Sequence, residues 1–322
     1  MTAEPAPVFG VFVPQGWKLE FAGVPDPREQ WRLAVDVAVR AEALGFDSIW
    51  VYDHFHNVPK PSHESVFECW TTMAAISQRT TTIRLGQMVG CNLYRPPALL
   101  AKITSTLDVI SGGRLDWGIG AGWYENECRG YGYPFPVPKE RIAMLQESVE
   151  IVLSMWSQPE TTYAGKWYQT HRANCDPKPL QHPRPPVWIG GGGEQLTLRV
   201  VARYADFANF GGKPAEFAHK CRVLDAHCES VGRDPGAVRR TWSPEIFIRE
   251  TEAELREGQR LSTRSEPFES WREGNLVGTP DEVAEKIAAY RALGCSGFIP
   301  WCLDYPGTET LERFAAVAAQ SR

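Results

Sequence analysis

Positive charge is not in excess in this sequence. Its formal net charge is −5 at pH 7, and it contains no run of basic residues. It also contains no apolar stretch long enough to span a membrane. Nucleic acids and anionic membrane surfaces attract concentrated positive charge, so we expect neither as a partner. The first ten residues, MTAEPAPVFG, lack the charged and apolar regions of a secretion signal, and we therefore expect a cytoplasmic protein.

No C-x-x-C pair occurs among the eight dispersed cysteines, which are Cys69, Cys91, Cys128, Cys175, Cys221, Cys228, Cys295 and Cys302. Dispersed thiols in an intracellular chain are mostly buried small side chains, so we expect no disulfide framework. One predicted helix carries a cluster typical of metal ligands, formed by His219, Cys221, His227 and Cys228. Four ligands from a single continuous helix suit tetrahedral zinc poorly, and we predict no metal site.

Short apolar or β-branched runs alternate with longer amphipathic runs about eight times along the chain. The predicted strands are 8–13, 47–52, 83–90, 115–119, 186–190, 205–209, 241–248 and 296–301. The predicted helices are 28–44, 65–78, 97–110, 139–156, 194–204, 214–231, 280–293 and 308–319. A parallel neighbour is reached only through a crossover, so this alternation predicts parallel strands. Eight units in 322 residues predict one α/β domain over 1–322, a closed (β/α)8 TIM barrel.

Two segments depart from an ideal barrel. Residues 157–185 contain a predicted hairpin, TTYAGKWYQ, followed by a proline-rich return, and residues 249–277 are first charged and then aromatic. We expect both insertions on the carboxyl-terminal loop face, either as a lid over a site or as surface decoration.

The densest polar group at a predicted strand end is Asp53, His54, Phe55 and His56, after the second strand. An imidazole beside a carboxylate keeps a defined tautomer and moves a proton near neutral pH, so this group predicts an acid/base site. A buried structural pair is the alternative interpretation.

Glycines mark three further strand ends. Gly190, Gly191, Gly192 and Gly193 lie between a strand and a predicted helix, where backbone N–H groups and the helix dipole favour a phosphate. Gly90 in GQMVGCN indicates a bulge or the close approach of a flat ligand. The third group, Gly118, Gly120 and Gly122 in GIGAG, does not match the dinucleotide fingerprint, because Trp123 stands where that pattern needs another glycine.

Residues 93–127, LYRPPALLAKITSTLDVISGGRLDWGIGAGWYENE, resemble the signature segment of the luciferase-like flavin and deazaflavin oxidoreductases. DSIWVYDHF, PPVWIGGGGEQ with RVVARYAD, and GTPDEVAEKIAAYRALG match the same family in the expected order. DHF and GAGWYENE are closest to the branch that uses the deazaflavin coenzyme F420. The resemblance implies a TIM barrel that binds F420, or alternatively FMN, at the carboxyl ends of its strands.

The same resemblance implies roles for individual residues. Asp53 and His54 would contact the deazaflavin ring, and His54 would assist hydride transfer by moving a proton. Gly90 and Cys91 correspond to a bulge that commonly carries a non-proline cis peptide against the ring. Ala121, Gly122 and Asn126 match the cofactor-contacting stretch, and Gly190 to Gly193 would hold the ribityl phosphate. On this interpretation the GIGAG glycines leave room for a flat ring.

Two positions depart from the sugar-phosphate dehydrogenases of the F420 branch. Those enzymes carry a catalytic glutamate where this chain has Trp123, and a tryptophan where it has Val58, so oxidation of glucose 6-phosphate is not expected. An aromatic, mainly apolar substrate pocket is predicted instead, formed by Phe12, Tyr94, Trp123 and Trp301, although each of these residues also suits a core.

Three activities follow as hypotheses. The first is hydride transfer between F420 and a small organic substrate, and the second is an oxygen-using monooxygenase that depends on reduced FMN. The third is a metal-dependent barrel hydrolase using His54, His56 and Asp304, which lacks the further histidines that such a site needs after strands 5 and 6. A flavin-binding module without catalysis remains a further alternative, and a homodimer is common in families of this kind.

Overall fold

Eight parallel strands close into a barrel in the computed structural model, which describes residues 6–322. In chain order the strands are β1 (Val8–Phe12), β2 (Ser48–Val51), β3 (Arg84–Gln87), β4 (Gly90–Cys91), β5 (Leu115–Gly120), β6 (Thr161–Ala164), β7 (Gln169–Ala173), β8 (Val187–Gly190), β9 (Phe207–Asn209), β10 (Arg239–Trp242), β11 (Glu245–Ile248), β12 (Leu276–Gly278), β13 (Cys295–Phe298) and β14 (Trp301–Cys302). The barrel order is β1, β2, β3, β5, β8, β9, β10 and β13, and the pairing of Val8 with Gly297 closes it. The predicted (β/α)8 barrel is confirmed.

Helices surround the barrel and connect its strands. They are α1 (Pro27–Ala43), α2 (Cys69–Ser77), α3 (Pro97–Ile110), α4 (Glu125–Gly130), α5 (Pro138–Ser157), α6 (Thr197–Tyr204), α7 (Pro214–Ser230), α8 (Glu252–Gly258), α9 (Phe268–Glu273), α10 (Pro280–Ala292) and α11 (Glu309–Gln320), with short 3-10 turns at Pro235–Ala237 and Gln259–Leu261. Across residues 6–322, none of the helices combines the length and the apolar character needed to cross a membrane.

Local sequence signals fix several helix ends. The Thr279 hydroxyl accepts from the Glu282 N–H, and the Glu282 carboxylate accepts from the Thr279 N–H, which completes a capping box at the start of α10. Pro280 occupies the first turn, where its missing N–H costs no hydrogen bond. Gly45 ends α1 with φ of +81°, a backbone conformation that glycine adopts easily.

Large aromatic side chains fill the barrel interior. The Trp50 and Trp188 rings meet edge to face at 4.5 Å, and Trp50 Nε1 donates to Ser48 Oγ at 2.8 Å. A Cβ atom at Gly86 would lie 2.3 Å from the Trp50 ring, so glycine at this strand position makes room for the indole. Packing of this kind explains why β3 has a glycine at position 86.

Two predicted strands are broken in the structure. The predicted strand 83–90 becomes β3 and β4, separated by a cis peptide between Met88 and Val89. The resemblance had associated this cis peptide with Gly90 and Cys91, and it lies just before them. The predicted strand 241–248 becomes β10 and β11 around Pro244, which has no N–H to donate to a strand ladder.

The second insertion extends the barrel wall. Its first part forms the short helices α8 and α9, and its end forms β12, which pairs in parallel with β11. On its other side β11 pairs with β14, just after the last barrel strand. These three strands make a small sheet above the barrel, so the segment predicted as 249–277 is partly regular structure.

The first insertion contains the predicted hairpin, formed by the antiparallel strands β6 and β7. It leaves α5 at the amino-terminal end of the barrel and turns back along that helix. The Glu147 carboxylate of α5 accepts the N–H groups of Lys166, Trp167 and Tyr168 at 2.9, 2.9 and 3.0 Å. Asn92 Nδ2 donates to the Tyr168 hydroxyl at 3.3 Å, so the hairpin tip reaches the carboxyl end of the strands.

Candidate active site

A cleft formed by two adjoining cavities lies at the carboxyl ends of the barrel strands. The larger cavity, of about 330 Å³, is lined mainly from the ends of β5, β8 and β9. The smaller, of about 160 Å³, is lined from the ends of β2 and β4. Both share the lining residues Met88, Val89, Gly122 and Trp123, which joins them into one cleft. This is the end of a TIM barrel at which catalytic groups gather.

His54 forms part of the wall of the smaller cavity, as expected. Its ring stacks on Trp17, with centroids 4.3 Å apart and planes at 4°. Nδ1 lies 2.7 Å from Oε2 of Glu127, and only 13% of the side chain is exposed. Because the carboxylate can only accept, Nδ1 carries the proton of this contact, and Nε2 is the ring nitrogen left for a ligand.

Glu127, the buried partner of His54, was not identified from the sequence. Its two buried oxygens accept from four groups: His54 Nδ1, the N–H groups of Phe55 and His56 at 2.6 and 2.8 Å, and the Tyr94 hydroxyl at 2.6 Å. Burial raises the pKa of this carboxyl, but these hydrogen bonds outweigh burial and hold the pKa below its ordinary value. The only sequence signal for Glu127 was the acidic segment WYENE after the fourth barrel strand, and this segment does not indicate which residue the carboxylate contacts.

Asp53 lines the same cavity, but other groups already occupy both of its oxygens. Arg95 donates to them at 2.7 and 3.0 Å, and the Cys91 N–H donates to Oδ2 at 2.8 Å. Arg95 also binds Glu68 at 2.7 Å. Asp53 therefore fastens β4 and the turn before α3 to the end of β2. A ligand ring in direct contact with Asp53 would have to share oxygens that already accept these hydrogen bonds.

The GIGAG glycines make room for neighbouring protein atoms, which differs from the expectation that they leave room for a ring. A Cβ at Gly118 would lie 1.8 Å from the Gln87 carbonyl oxygen, and one at Gly120 would lie 2.6 Å from Val89 Cγ2. Gly122 has φ of +80°, and a Cβ there would lie 2.8 Å from Cys91 Sγ. The close strand packing leaves Val89 and bare backbone as the floor of the cleft.

The four-glycine loop is only partly in the cleft. Gly190 and Gly191 line the larger cavity, whereas Gly192 and Gly193 do not. Helix α6 begins at Thr197 and not at 194, so the loop is separated from the helix start, and the Gly191 N–H is already donated to Asn209 O at 2.9 Å. Thr197 and Arg141, neither of which was predicted, line this cavity and add a hydroxyl and a cation.

The other predicted residues divide between the cleft and its surroundings. Gly90, Cys91 and Tyr94 line the smaller cavity, and Ala121 lines the larger. Trp123 stands at the rim of both with 61% of its surface exposed. Asn126 is exposed, with Oδ1 2.9 Å from His56 Nδ1.

Phe12 and Trp301, which were predicted to line a substrate pocket, lie outside both cavities. Each is 2% exposed. The Phe12 ring stacks on Tyr52 at 4.1 Å, and the ammonium of Lys18 lies 3.7 Å from the centroid of Trp301. These two side chains therefore belong to the packed interior, which was the alternative interpretation for aromatic residues.

The residues considered for a metal site have separate partners. His54 contacts Glu127, His56 contacts Asn126, and Asp304 accepts from Arg249 at 3.0 Å. Within the described range 6–322, no three His, Cys, Asp or Glu side chains converge in a way that could hold a metal ion.

Comparisons with known proteins place the chain in a family. Residues 9–266 match the luciferase-like monooxygenase family. An F420-dependent glucose-6-phosphate dehydrogenase from Intrasporangium calvum is 30% identical, over 94% of this chain and 96% of its own. Another from Segniliparus rotundus is also 30% identical, over 85% of this chain and 88% of its own.

Solved structures share the fold at lower identity. An F420-dependent secondary alcohol dehydrogenase, in complex with an F420-acetone adduct, superimposes with a TM-score of 0.85 at 20% identity, covering 99% of this chain and 100% of that one. The monooxygenase RslO1 from Streptomyces bottropensis gives 0.78 at 20% identity, covering 98% of both chains. The sequence matches and the shared barrel show that the chain belongs to the luciferase-like monooxygenase family.

Proposed function

We propose that the chain is an F420-dependent oxidoreductase that transfers a hydride between the deazaflavin coenzyme and a small organic substrate. The observation that carries this proposal is the His54–Glu127 pair at the wall of a cleft whose floor is Val89 and glycine backbone. The names of the relatives that are 30% identical over most of the chain support F420 over FMN. The monooxygenases that share the fold at 16–20% identity support only the barrel.

The shape and polarity of the cleft fit a flat ring with an anionic tail. Val89 and the backbone of Gly120 and Gly190 offer an apolar floor, because a side chain at either glycine would collide with Val89. Arg141, Thr197 and Gly191 also line the larger cavity, and Arg141 Nε donates to the Gly122 carbonyl oxygen at 3.2 Å. We expect the ring to lie over Val89 and the phosphate to lie near Arg141, where a cation and a hydroxyl are both present.

When bound, F420 supplies a two-electron hydride centre. The residues of the chain supply a proton site beside it. Glu127 holds the Nδ1–H of His54, so Nε2 faces the smaller cavity as a proton acceptor, or as a donor when the ring is charged. Trp17 restricts the imidazole to one plane by stacking on it. An alcohol oxygen placed near Nε2 would therefore give its proton to His54 as its carbon loses a hydride, and a carbonyl oxygen would take a proton from the charged ring as its carbon gains one.

The rim of the cleft favours an aromatic or mainly apolar substrate. Trp123 packs against Tyr124 with ring centroids 5.0 Å apart, and its ring lies 5.7 Å from that of His54. An exposed indole at this place offers a broad apolar surface to a ligand. Oxidation of glucose 6-phosphate, the reaction named for the relatives, is not proposed for this chain.

The experiment that tests the proposal is a paired titration of the apoprotein with F420 and with FMN, followed by tryptophan fluorescence. Quenching by F420 at lower concentration than by FMN is the expected result, because Trp17 and Trp123 line the cleft. Tighter binding of FMN would instead support an oxygen-using, FMN-dependent monooxygenase. No fluorescence change with either compound would contradict the assignment of both cofactors. A homodimer and a cytoplasmic location stay predictions from the sequence.

A further inference from the structure

The hydroxyl of Tyr94 and the imidazole of His54 share one oxygen atom of Glu127. Tyr94 Oη donates to Oε2 at 2.6 Å, and His54 Nδ1 donates to the same atom at 2.7 Å. The other oxygen, Oε1, accepts the N–H groups of Phe55 and His56 at 2.6 and 2.8 Å. An ionised carboxylate offers about four lone-pair positions, two on each oxygen. All of these positions are therefore in use.

Packing fixes the Tyr94 ring beside this carboxylate. Tyr94 is 5% exposed, and its ring centroid lies 4.6 Å from that of Phe55 and 5.2 Å from that of Tyr133. Its N–H donates to the Cys91 carbonyl oxygen at 3.2 Å. Burial raises the pKa of the Tyr94 hydroxyl far above its usual range, and the hydrogen bond to the ionised Glu127 raises it further. The hydroxyl therefore stays a donor throughout the pH range of an assay.

A second donor on Oε2 weakens the hold of Glu127 on a charged His54 ring. The imidazolium that forms when Nε2 takes up a proton gains more from a nearby negative charge than the neutral ring does. Because the Tyr94 O–H also draws on the charge of Oε2, less of that charge is left for the Nδ1–H of His54. The carboxylate cannot take the Nδ1 proton without giving up one of its donors, so proton exchange is confined to Nε2.

We propose that Tyr94 is a positioning residue that sets the pH range in which His54 exchanges a proton, acting through the shared oxygen of Glu127. With Tyr94 in place, His54 loses its proton at a lower pH than it would beside Glu127 alone. The consequence for turnover rests on the proposed function, in which a neutral His54 takes the proton of an alcohol. Tyr94 then extends alcohol oxidation toward lower pH.

Other charged or titratable groups stand around His54 and have partners of their own. Those that line the smaller cavity or lie beside the His54 ring and its Trp17 neighbour are Asp53, His56, Cys91, Tyr124 and Lys18. Asp53 accepts from Arg95, and the Tyr124 hydroxyl donates to the Asn57 carbonyl oxygen at 3.3 Å. Lys18 Nζ lies 5.6 Å from the centroid of the Trp17 ring. Removing the Tyr94 hydroxyl leaves these groups in place, so their effect on His54 is common to both proteins.

The test follows the titration of His54 itself, in the full chain without cofactor. Histidine ring resonances are recorded by NMR from about pH 5 to 9, and the His54 signal is the one missing in His54→Ala. Tyr94→Phe should raise the midpoint of this titration by roughly 0.5 pH unit, because part of the free energy of one hydrogen bond passes to the charged ring. Tyr133→Phe is the matched control: it removes a hydroxyl from the neighbouring ring and leaves the four donors to Glu127 in place. An unchanged or lower midpoint in Tyr94→Phe would overturn the proposal.

A double-mutant comparison shows whether the effect passes through Glu127. In the Glu127→Gln background, where the shared acceptor carries no charge, adding Tyr94→Phe should shift the His54 midpoint by less than about 0.2 unit. An equal shift in both backgrounds would refute the role of the shared oxygen.

Turnover gives a separate readout that depends on the cofactor. With F420 and an alcohol substrate, the acid limb of kcat in Tyr94→Phe should move to higher pH by the same amount as the NMR midpoint, and the Kd for F420 should stay within about twofold. An acid limb that stays in place while the midpoint moves would refute the effect on turnover. If F420 does not bind the wild type, the proposed function fails, whereas the NMR titration still decides the role of Tyr94.

Discussion

The Nδ1 atom of His54 lies 2.7 Å from Oε2 of Glu127, although 73 positions separate the two residues in the chain. The contact brings the end of the second barrel strand to the short helix that follows the fifth strand of the chain. It fixes which nitrogen of the imidazole is free, and it gives the buried carboxylate a donor that offsets its burial.

Replacing His54 with alanine should lower turnover about a hundredfold or more while leaving F420 affinity nearly unchanged, since a positioned acid/base acts mainly on the chemical step. The measurement is kcat with an alcohol or carbonyl substrate found by screening, beside the Kd for F420. His56→Ala is the matched control, because its ring contacts the exposed Asn126 outside the cleft. Equal losses of binding and turnover in His54→Ala would contradict the proton role.

Glu127→Gln should destabilise the protein and disturb the pH profile of turnover. The amide nitrogen of glutamine cannot accept a hydrogen bond. Some of the four donors to Glu127, which are His54, Tyr94 and two backbone N–H groups, would therefore lose their acceptor. Each buried donor without a partner costs about 1 to 3 kcal/mol. Thermal unfolding measures the first effect and the pH dependence of kcat the second. Unchanged stability with an unchanged pH profile would show that the carboxylate has no positioning role.

The charge of Glu127 also predicts the response of the wild type to acid. The folded pKa lies below the ordinary value of 4.5, so the folded state favours the ionised carboxyl. Its stabilising contribution is complete above pH 4.5 and is lost as the pH falls through the folded pKa. Urea unfolding at several pH values should show a smaller acid-induced loss of stability in Glu127→Gln. Equal losses would mean that this carboxyl does not govern the response.

Gly190→Ala should destabilise the protein by about 1 to 3 kcal/mol, because the added methyl group would overpack a tight contact. The Cβ would lie 2.8 Å from Val89 Cγ1. Val89→Ala in the same chain should recover part of this loss, and a double-mutant cycle by urea unfolding measures the coupling. Gly211→Ala is the control, since nothing lies within 4 Å of its Cβ position. Additive effects of the pair would exclude the predicted collision.

Asp53→Ala should cost about 3 to 5 kcal/mol of stability, because it leaves the mostly buried Arg95 without its main partner. The exposed pair of Arg28 and Asp26 offers a comparison, and Arg28→Ala should change stability by less than about 1 kcal/mol. Urea unfolding of both variants tests the difference. Similar small losses in both would show that Asp53 does not hold β4 and the turn before α3 in place.

The sequence predicted the barrel because its signals are local or periodic. The capping box of Thr279 and Glu282 spans four residues, and the alternation of strands and helices repeats along the chain. Contacts between distant segments were beyond this kind of reasoning. Glu127 could be identified only from the three-dimensional structure, because its partner His54 lies 73 positions away in the chain. The glycines of GIGAG were assigned to a ligand because the sequence does not show that Val89 and Gln87 lie against them.

The sequence also predicted some strand and helix boundaries wrongly. Pro244 could have been used to divide the predicted strand 241–248, since proline cannot donate to a central ladder. The start of α6 at Thr197 has no side-chain cap, so nothing in the local sequence separated it from 194. Phe12 and Trp301 show why aromatic residues were ambiguous: both the interior of a barrel and the wall of a cleft use large apolar rings.

The hairpin of β6 and β7 is a part of this protein whose sequence and length can change without affecting the barrel strands. It is fastened to the outside of α5 through Glu147, and at its tip Trp167 and Tyr168 pack against the cluster of Leu93 and Tyr94 beside the cleft. Its length and composition can therefore vary in evolution without altering a single hydrogen bond between barrel strands. Changes in the hairpin can therefore alter which compounds the outer wall of the cleft accepts, while the floor formed by Val89 and the glycine backbone is unchanged.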